Sequence, residues 1–203
     1  MEKRGEVSER RTKIPEITRP RFEDWLDQIE EPNQEAVNCF IEDGNNADRL
    51  EWAPGSRGAH HGWEGGYKEH LRQTMMIAAQ LFPLFVDTSR LDELPDEERF
   101  SLSDALVVMF LHDIEKMFMY DFDREGNIVT KIHMTKADRK EFQRSIIEKY
   151  GFVLTSAMEN ALLHVEGVRD EYYIPGERVD QPLAALCHAA DNLSARGFYD
   201  HKG

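Results

Sequence analysis

The middle of the chain carries a histidine followed directly by an aspartate, His112-Asp113, at the end of the apolar run 105–111. Burying an imidazole and a carboxylate at the end of a core helix is costly unless another group compensates them. A divalent metal ion is one such group, because neutral imidazole and ionised carboxylate are its natural ligands. For the isolated dipeptide, the alternative is a buried histidine that is hydrogen-bonded to its neighbouring aspartate.

Two further positions favour the metal-site interpretation. Lys116 stands one helical turn after His112, where a cation suits a developing phosphate charge better than a plain core. Asp191 falls on the apolar stripe of a late helix, and no Lys or Arg lies close to it in sequence before Arg196. A buried carboxylate needs a partner. His188, one turn earlier on the same face, is a candidate to hydrogen-bond that carboxylate, to hold a ligand in place or to touch substrate.

The remaining candidate segments lie on both sides of the central pair. A lone histidine such as His70, after a Gly-Gly pair, is more often a satisfied core or capping residue than a ligand. In chain order, the full set of segments is Ala53-Pro54, His60-His61, Gly65-Gly66, Glu69-His70, Leu111-His112-Asp113-Ile114-Glu115-Lys116 and His188-Ala189-Ala190-Asp191-Asn192-Leu193-Ser194-Ala195.

This ordered set resembles the HD superfamily of metal-dependent phosphohydrolases over roughly residues 50–196. It is most similar to the HD domain of bacterial 3′-5′ exoribonucleases that also carry an OB-fold. The resemblance implies an all-α, HD-type helical domain over residues 21–203. Residues 1–20 precede it as a polar arm, which we expect to be flexible.

Carried over position by position, the resemblance implies a metal centre. The core ligands would be His70, His112, Asp113 and Asp191. Family members with two metals add two histidines between the His-Asp pair and the last aspartate, and His133 and His164 stand in that interval. Two departures bear on this point. The family's Ser-His-His-Gly segment reads Leu163-His164-Val165-Glu166-Gly167 here, and Glu115 replaces the usual glycine. A mononuclear and a dinuclear centre therefore both stay open.

The implied chemistry is hydrolysis of a phosphate ester or anhydride by water that one or two divalent ions activate. Mixed imidazole and carboxylate ligation suits Mn, Fe, Co, Ni or Zn, and Mg is retained as a candidate. Lys116 would assist by neutralising phosphate charge. His61 and His188 are candidates to protonate the leaving group or to orient a ligand. Two alternatives are a 3′-5′ exonuclease on short single strands and a non-catalytic module that binds a nucleotide as a sensor.

Charge restricts the substrate. The formal net charge is −14, and residues 1–20 carry six Lys or Arg against four Asp or Glu, which leaves 19 against 35 in the rest. Such a body repels long polyphosphates and lacks the electrostatic footprint of a duplex binder. Residues 1–50 are also too short and too helical to supply an OB-fold. A small phosphorylated substrate, most simply a nucleotide, is the expected partner.

Length and composition are those of one globular domain. The 203 residues are 40% hydrophobic and 32% charged, and no apolar run approaches the roughly 20 residues that a bilayer requires. No secretory h-region is present, and Cys39 and Cys187 are too few for a disulfide framework. The cytoplasm is the expected location, and oligomerisation is left open.

Helical periodicity accounts for most of the chain. Helices are predicted from Phe22, around 34–41, over 67–85, after Ser101 or Ser103, and over 137–150, 155–165 and 181–196, with loops at 53–66 and 87–99 and a turn or hairpin tip at 121–127. Gly151 is a predicted C-cap.

Overall fold

The computed structural model describes residues 20–89, 91–167 and 178–197, and within these ranges the chain is mostly helical. The expected all-α class is confirmed. The helices are α1 (Phe22–Leu26), α2 (Asn33–Glu42), α3 (Asn46–Trp52), α4 (Gly66–Ser89), α5 (Leu102–Leu111), α6 (Lys116–Met119), α7 (Lys136–Tyr150), α8 (Ser156–His164) and α9 (Pro182–Asn192), which continues into a π-helical segment, Leu193–Gly197. Two 3₁₀ turns, Leu91–Glu93 and Asp96–Glu98, lie between α4 and α5 in the chain. Strands β1 (Tyr120–Phe122) and β2 (Ile128–Thr130) form an antiparallel hairpin in which Asp121 pairs with Val129.

Helix α5 is the buried centre of the fold, as its uniformly apolar sequence predicts. Residues 105–111 have no solvent exposure, and α4, α8 and α9 pack around them. The Ser101 hydroxyl accepts a hydrogen bond from the backbone nitrogen of Asp104 at 3.1 Å, and the Asp104 carboxylate accepts one from the backbone nitrogen of Ser101 at 2.7 Å. This capping box satisfies two backbone donors. Helix α5 therefore starts at a defined residue and delivers His112 and Asp113 at its other end.

Two other predicted boundaries are confirmed. Helix α7 ends at Gly151, whose φ of +75° is the left-handed conformation that a C-cap glycine adopts. The turn at 121–127 joins β1 to β2, as expected for a hairpin tip. Both features come after the His-Asp pair in the chain.

Two segments differ from the predicted pattern. No helix is predicted between residues 41 and 67, but Asn46–Trp52 form α3, which buries Leu50. Helix α4 extends to Ser89, beyond the predicted end at residue 85, although Pro83 removes one helical hydrogen bond. The rings of Phe82 and Phe85 pack on Phe100, with centroid distances of 5.9 and 6.5 Å. This packing stabilises the last turns of α4 against the cost of the proline.

The buried apolar side chains form one continuous core. The predicted arm, residues 1–20, lies outside the described residues except for Pro20. Among the described helices, none has both the length and the apolar character that crossing a membrane requires.

Candidate metal centre

Four of the predicted ligands meet at one place in the fold. His70 comes from the start of α4, His112 and Asp113 from the end of α5, and Asp191 from the end of α9. One ligand atom of each lies within 4.8 Å of the other three, and this group can hold a metal ion. The three residues from α4 and α5 are buried, whereas the Asp191 side chain is 21% exposed. The centre therefore contacts solvent on the side of Asp191.

The distances between these atoms fit a single ion. His70 Nε2 lies 3.2 Å from His112 Nε2, 3.4 Å from Asp113 Oδ2 and 3.3 Å from Asp191 Oδ1. His112 Nε2 lies 3.3 Å from Asp113 Oδ2 and 3.6 Å from Asp191 Oδ1. Donors held about 2.0–2.2 Å from a tetrahedral ion are roughly 3.3–3.6 Å apart. The two imidazoles and two carboxylates thus have both the chemistry and the spacing of a metal site.

Hydrogen bonds behind the two imidazoles orient them. His112 Nδ1 lies 2.7 Å from the carbonyl oxygen of Met109 and donates to it, because a carbonyl only accepts. His70 Nδ1 lies 3.0 Å from Ser194 Oγ. In both residues Nε2 is the nitrogen that faces the carboxylates. A bond from the far nitrogen to an oxygen is the usual support of a metal-binding histidine.

The carboxylates of Asp113 and Asp191 stabilise positive charge at the centre. Burial by itself lowers the pKa of His112, but the charges of Asp113 and Asp191 outweigh it and raise that pKa to about 10. Although burial opposes them, Lys116 and His112 hold the pKa of Asp113 well below its usual value. Lys116 Nζ donates a hydrogen bond to Asp113 Oδ2, the same oxygen that faces both imidazoles. The pair of carboxylates therefore attracts cations, whether protons or metal ions.

Two more histidines lie beside the centre, in the loop before α4. The ring centroids of His60 and His61 lie 5.1 and 5.0 Å from that of His70, and the three residues form a second group that can hold a metal ion. Burial, reinforced by the charge of His70, lowers the pKa of both His60 and His61 to about 4. Both rings are therefore neutral at pH 7. The sequence analysis gives His60 no role of its own. The adjacent pair His60-His61 is the sequence feature that could have identified it.

The other predicted histidines lie apart from the four-residue group. His133 is exposed between β2 and α7, and His164 is buried at the end of α8. Neither belongs to a group of potential ligands within the described residues. His188 Nδ1 donates to the carbonyl oxygen of Val165 at 2.7 Å, so this ring ties α9 to the end of α8. The proposed ligands of a second ion are thus not gathered with the first four.

This arrangement predicts one bound divalent ion per chain. Only the group around Asp113 combines two imidazoles with two carboxylates in the described part of the chain. Elemental analysis of protein dialysed against Mn²⁺ should give one ion per chain, and the His133→Ala protein should give the same value. Two ions per chain in the wild type, with one lost in His133→Ala, would instead support the dinuclear centre.

A small cavity of about 70 Å³ borders His112, and its charged lining consists of three cations of α7 and two glutamates, Glu115 and Glu166. The cations are Lys136, Arg139 and Lys140, whose i, i+3, i+4 spacing puts them on one face of the helix. Arg139 Nε is buried and has no hydrogen-bond partner among the described residues, and Arg139 Nη1 lies 4.0 Å from Glu115 Oε1. Glu115 is itself buried, and burial together with the charge of Asp113 raises its pKa to about 7. The sequence analysis gives these three cations no role, and their helical spacing indicates only that they share one face of α7.

Comparisons of the chain with protein-family models, with curated proteins and with solved structures find no match. The residues of the centre themselves indicate its chemistry. His70, His112, Asp113 and Asp191 have ligand-like spacing, Lys116 contacts one carboxylate, and a cavity with charged walls adjoins one imidazole.

Proposed function

We propose that this protein is an HD-type metal-dependent phosphohydrolase, which cleaves a phosphate ester or anhydride of a small nucleotide-like substrate. The observation that carries the proposal is the meeting of His70, His112, Asp113 and Asp191 at ion-binding distances. These residues come from three helices and lie up to 121 positions apart in the sequence. The expected resemblance to the HD superfamily assigns the same four residues as ligands.

The four side chains would hold a divalent ion of the Mn, Fe, Co, Ni, Zn or Mg type. Such an ion lowers the pKa of bound water towards neutrality and polarises a phosphoryl oxygen. Met109 and Ser194 keep the far nitrogens of the two imidazoles engaged, so that their Nε2 atoms stay directed at the ion. Lys116, held at Asp113, is placed to neutralise charge that develops on a phosphoryl oxygen.

The size and charge of the protein favour a small anionic substrate. The cavity beside His112 has room for a group of only a few heavy atoms, and its cations come from α7. The remainder of the chain is strongly acidic, so a long nucleic acid gains no general attraction. A phosphate group at the metal centre, on the side where Lys116 supplies a positive charge, is the arrangement that these charges support.

Replacing Lys116 by glutamine is expected to lower kcat by roughly 10²–10³-fold, because the transition state loses a positive charge close to the metal centre. The matched control is Lys131→Gln, since Lys131 also pairs with an aspartate, Asp121, but on the hairpin. Steady-state kinetics on the two variants tests the role. An unchanged kcat in Lys116→Gln would remove this residue from the proposed chemistry.

The proposal as a whole is tested by a substrate screen. Nucleoside mono-, di- and triphosphates, dinucleotides and cyclic nucleotides are incubated with purified protein and Mn²⁺, Co²⁺, Ni²⁺, Zn²⁺ or Mg²⁺, and the products are identified by mass spectrometry. We expect metal-dependent release of phosphate or of a nucleotide from a small substrate and no cleavage of duplex DNA. Turnover of single-stranded oligonucleotides alone would favour the exonuclease alternative. Nucleotide binding without turnover under any metal would favour the sensor alternative.

A further inference from the structure

A buried glutamine, Gln73 on α4, lies behind the histidines of the centre. Its amide nitrogen donates to Glu69 Oε1 at 2.9 Å. The Glu69 carboxylate also accepts two hydrogen bonds from the guanidinium group of Arg72, at 2.7 and 2.6 Å, and the two side chains form an ion pair. An ionised carboxylate only accepts, so the amide nitrogen of Gln73 must face Glu69 and the amide oxygen must face the other way.

The oxygen of Gln73 then determines where two protons lie. Gln73 Oε1 is 3.0 Å from Ser194 Oγ and 3.0 Å from His61 Nε2. An amide oxygen also only accepts, so Ser194 donates its hydroxyl proton and His61 carries its proton on Nε2. Because the hydroxyl proton of Ser194 is donated to Gln73, Ser194 Oγ accepts a hydrogen bond from His70 Nδ1. His70 therefore carries a proton on Nδ1, which leaves Nε2 as the nitrogen that can bind a metal ion.

The contact between Gln73 and His61 is closed to solvent. His61 has no solvent exposure and Gln73 is 2% exposed, so water does not compete for the hydrogen bond between Gln73 Oε1 and His61 Nε2. On its other side, His61 Nδ1 lies 3.0 Å from His60 Nδ1.

We infer that Gln73 is a positioning residue of the metal centre, whose amide oxygen fixes the tautomer of His70 through Ser194 and that of His61 by direct contact. Ser194 contacts His70 at Nδ1, the nitrogen opposite the one that faces the carboxylates, and Gln73 contacts Ser194 and His61. The effect of this network on metal affinity rests on the proposed function. The tautomers themselves are a property of the metal-free protein and can be measured separately.

The experiment combines ¹⁵N NMR of the histidine rings in metal-free protein with Mn²⁺ titration calorimetry. In the wild type, we expect the proton of His70 on Nδ1 and that of His61 on Nε2. Ser194→Ala should mix the tautomers of His70 and leave those of His61 unchanged, whereas Gln73→Met should mix both. Each variant should bind Mn²⁺ about 10–100-fold more weakly, as expected when the support of a ligating histidine is removed.

The matched control is Thr74→Val, at the next position of α4. Thr74 is fully buried, but its hydroxyl donates to the carbonyl oxygen of Leu71 within the same helix. Its Mn²⁺ affinity should stay within about two-fold of wild type. A His70 proton on Nε2 in the wild type, or wild-type affinity in Ser194→Ala, overturns the inference. If Gln73→Met does not fold, the wild-type tautomers and Ser194→Ala decide. A wild type that binds no Mn²⁺ contradicts the proposed function and leaves the tautomer measurement to decide the inference.

Discussion

The Asp113→Asn protein is expected to lose hydrolysis on the order of 10³-fold or more, because Asp113 offers a ligand oxygen to the ion and also holds Lys116. Asparagine keeps the size of the side chain but removes its charge. Mn²⁺ affinity should fall in parallel. Helical content should persist, because the core formed around α5 does not include this side chain. Rate, metal binding and circular dichroism on one preparation measure the three effects.

Asp121→Asn is the control for this prediction. Asp121 is also an aspartate paired with a lysine, but it lies on β1 and belongs to no potential ligand group among the described residues. It should keep wild-type rate and metal affinity. Hydrolysis by Asp113→Asn at the wild-type rate would show that the metal centre has no part in the reaction.

The Gly66→Ala protein is expected to lose stability by at least about 1–3 kcal/mol. A Cβ at Gly66 would lie 2.0 Å from the carbonyl oxygen of His61. That oxygen cannot move freely, because it accepts hydrogen bonds from the backbone nitrogens of Gly55 and Trp63, and His61 itself has φ of +57°. The loop must therefore shift. Since Gly66 begins α4 and His70 lies one turn later, Mn²⁺ affinity should fall with stability.

Gly58→Ala tests whether this effect is specific. Gly58 lies in the same loop, but a Cβ there would meet no atom within 4 Å. The melting temperature of this variant should match that of the wild type within about 1 °C, whereas Gly66→Ala should melt lower by about 2–4 °C for each kcal/mol lost. Equal melting temperatures for the two variants would show that the approach to His61 is not tight in solution.

The sequence predicts the ligand cluster best where local signals and burial agree. The apolar run 105–111 and the capping serine Ser101 place α5, and α5 places His112 and Asp113. Asp191 can also be predicted, because it lies beside the apolar residues of α9 that face the core. In each case, the residues that allow the prediction lie within a few helical turns of one another. The expected resemblance to a family then predicts which of the distant helices meet at the centre.

Other features depend on contacts in three dimensions, which cannot be read from the spacing of residues along the sequence. His133 and His164 stand in the right order for a second ion, yet one is exposed before α7 and the other belongs to no ligand group among the described residues. The contact of Gln73 with Ser194 joins residues that are 121 positions apart, and a polar residue on a helix gives no periodic signal of such a partner. Helix continuity through Pro83 depends on aromatic packing in space.

We propose that one divalent ion binds between His70, His112, Asp113 and Asp191. Anomalous diffraction at the manganese edge, from crystals grown with Mn²⁺, measures this directly. We predict one anomalous peak about 2.0–2.3 Å from Nε2 of each histidine and from one oxygen of each carboxylate. A peak at other residues, with these four atoms free of metal in protein that hydrolyses its substrate, would contradict the proposed centre.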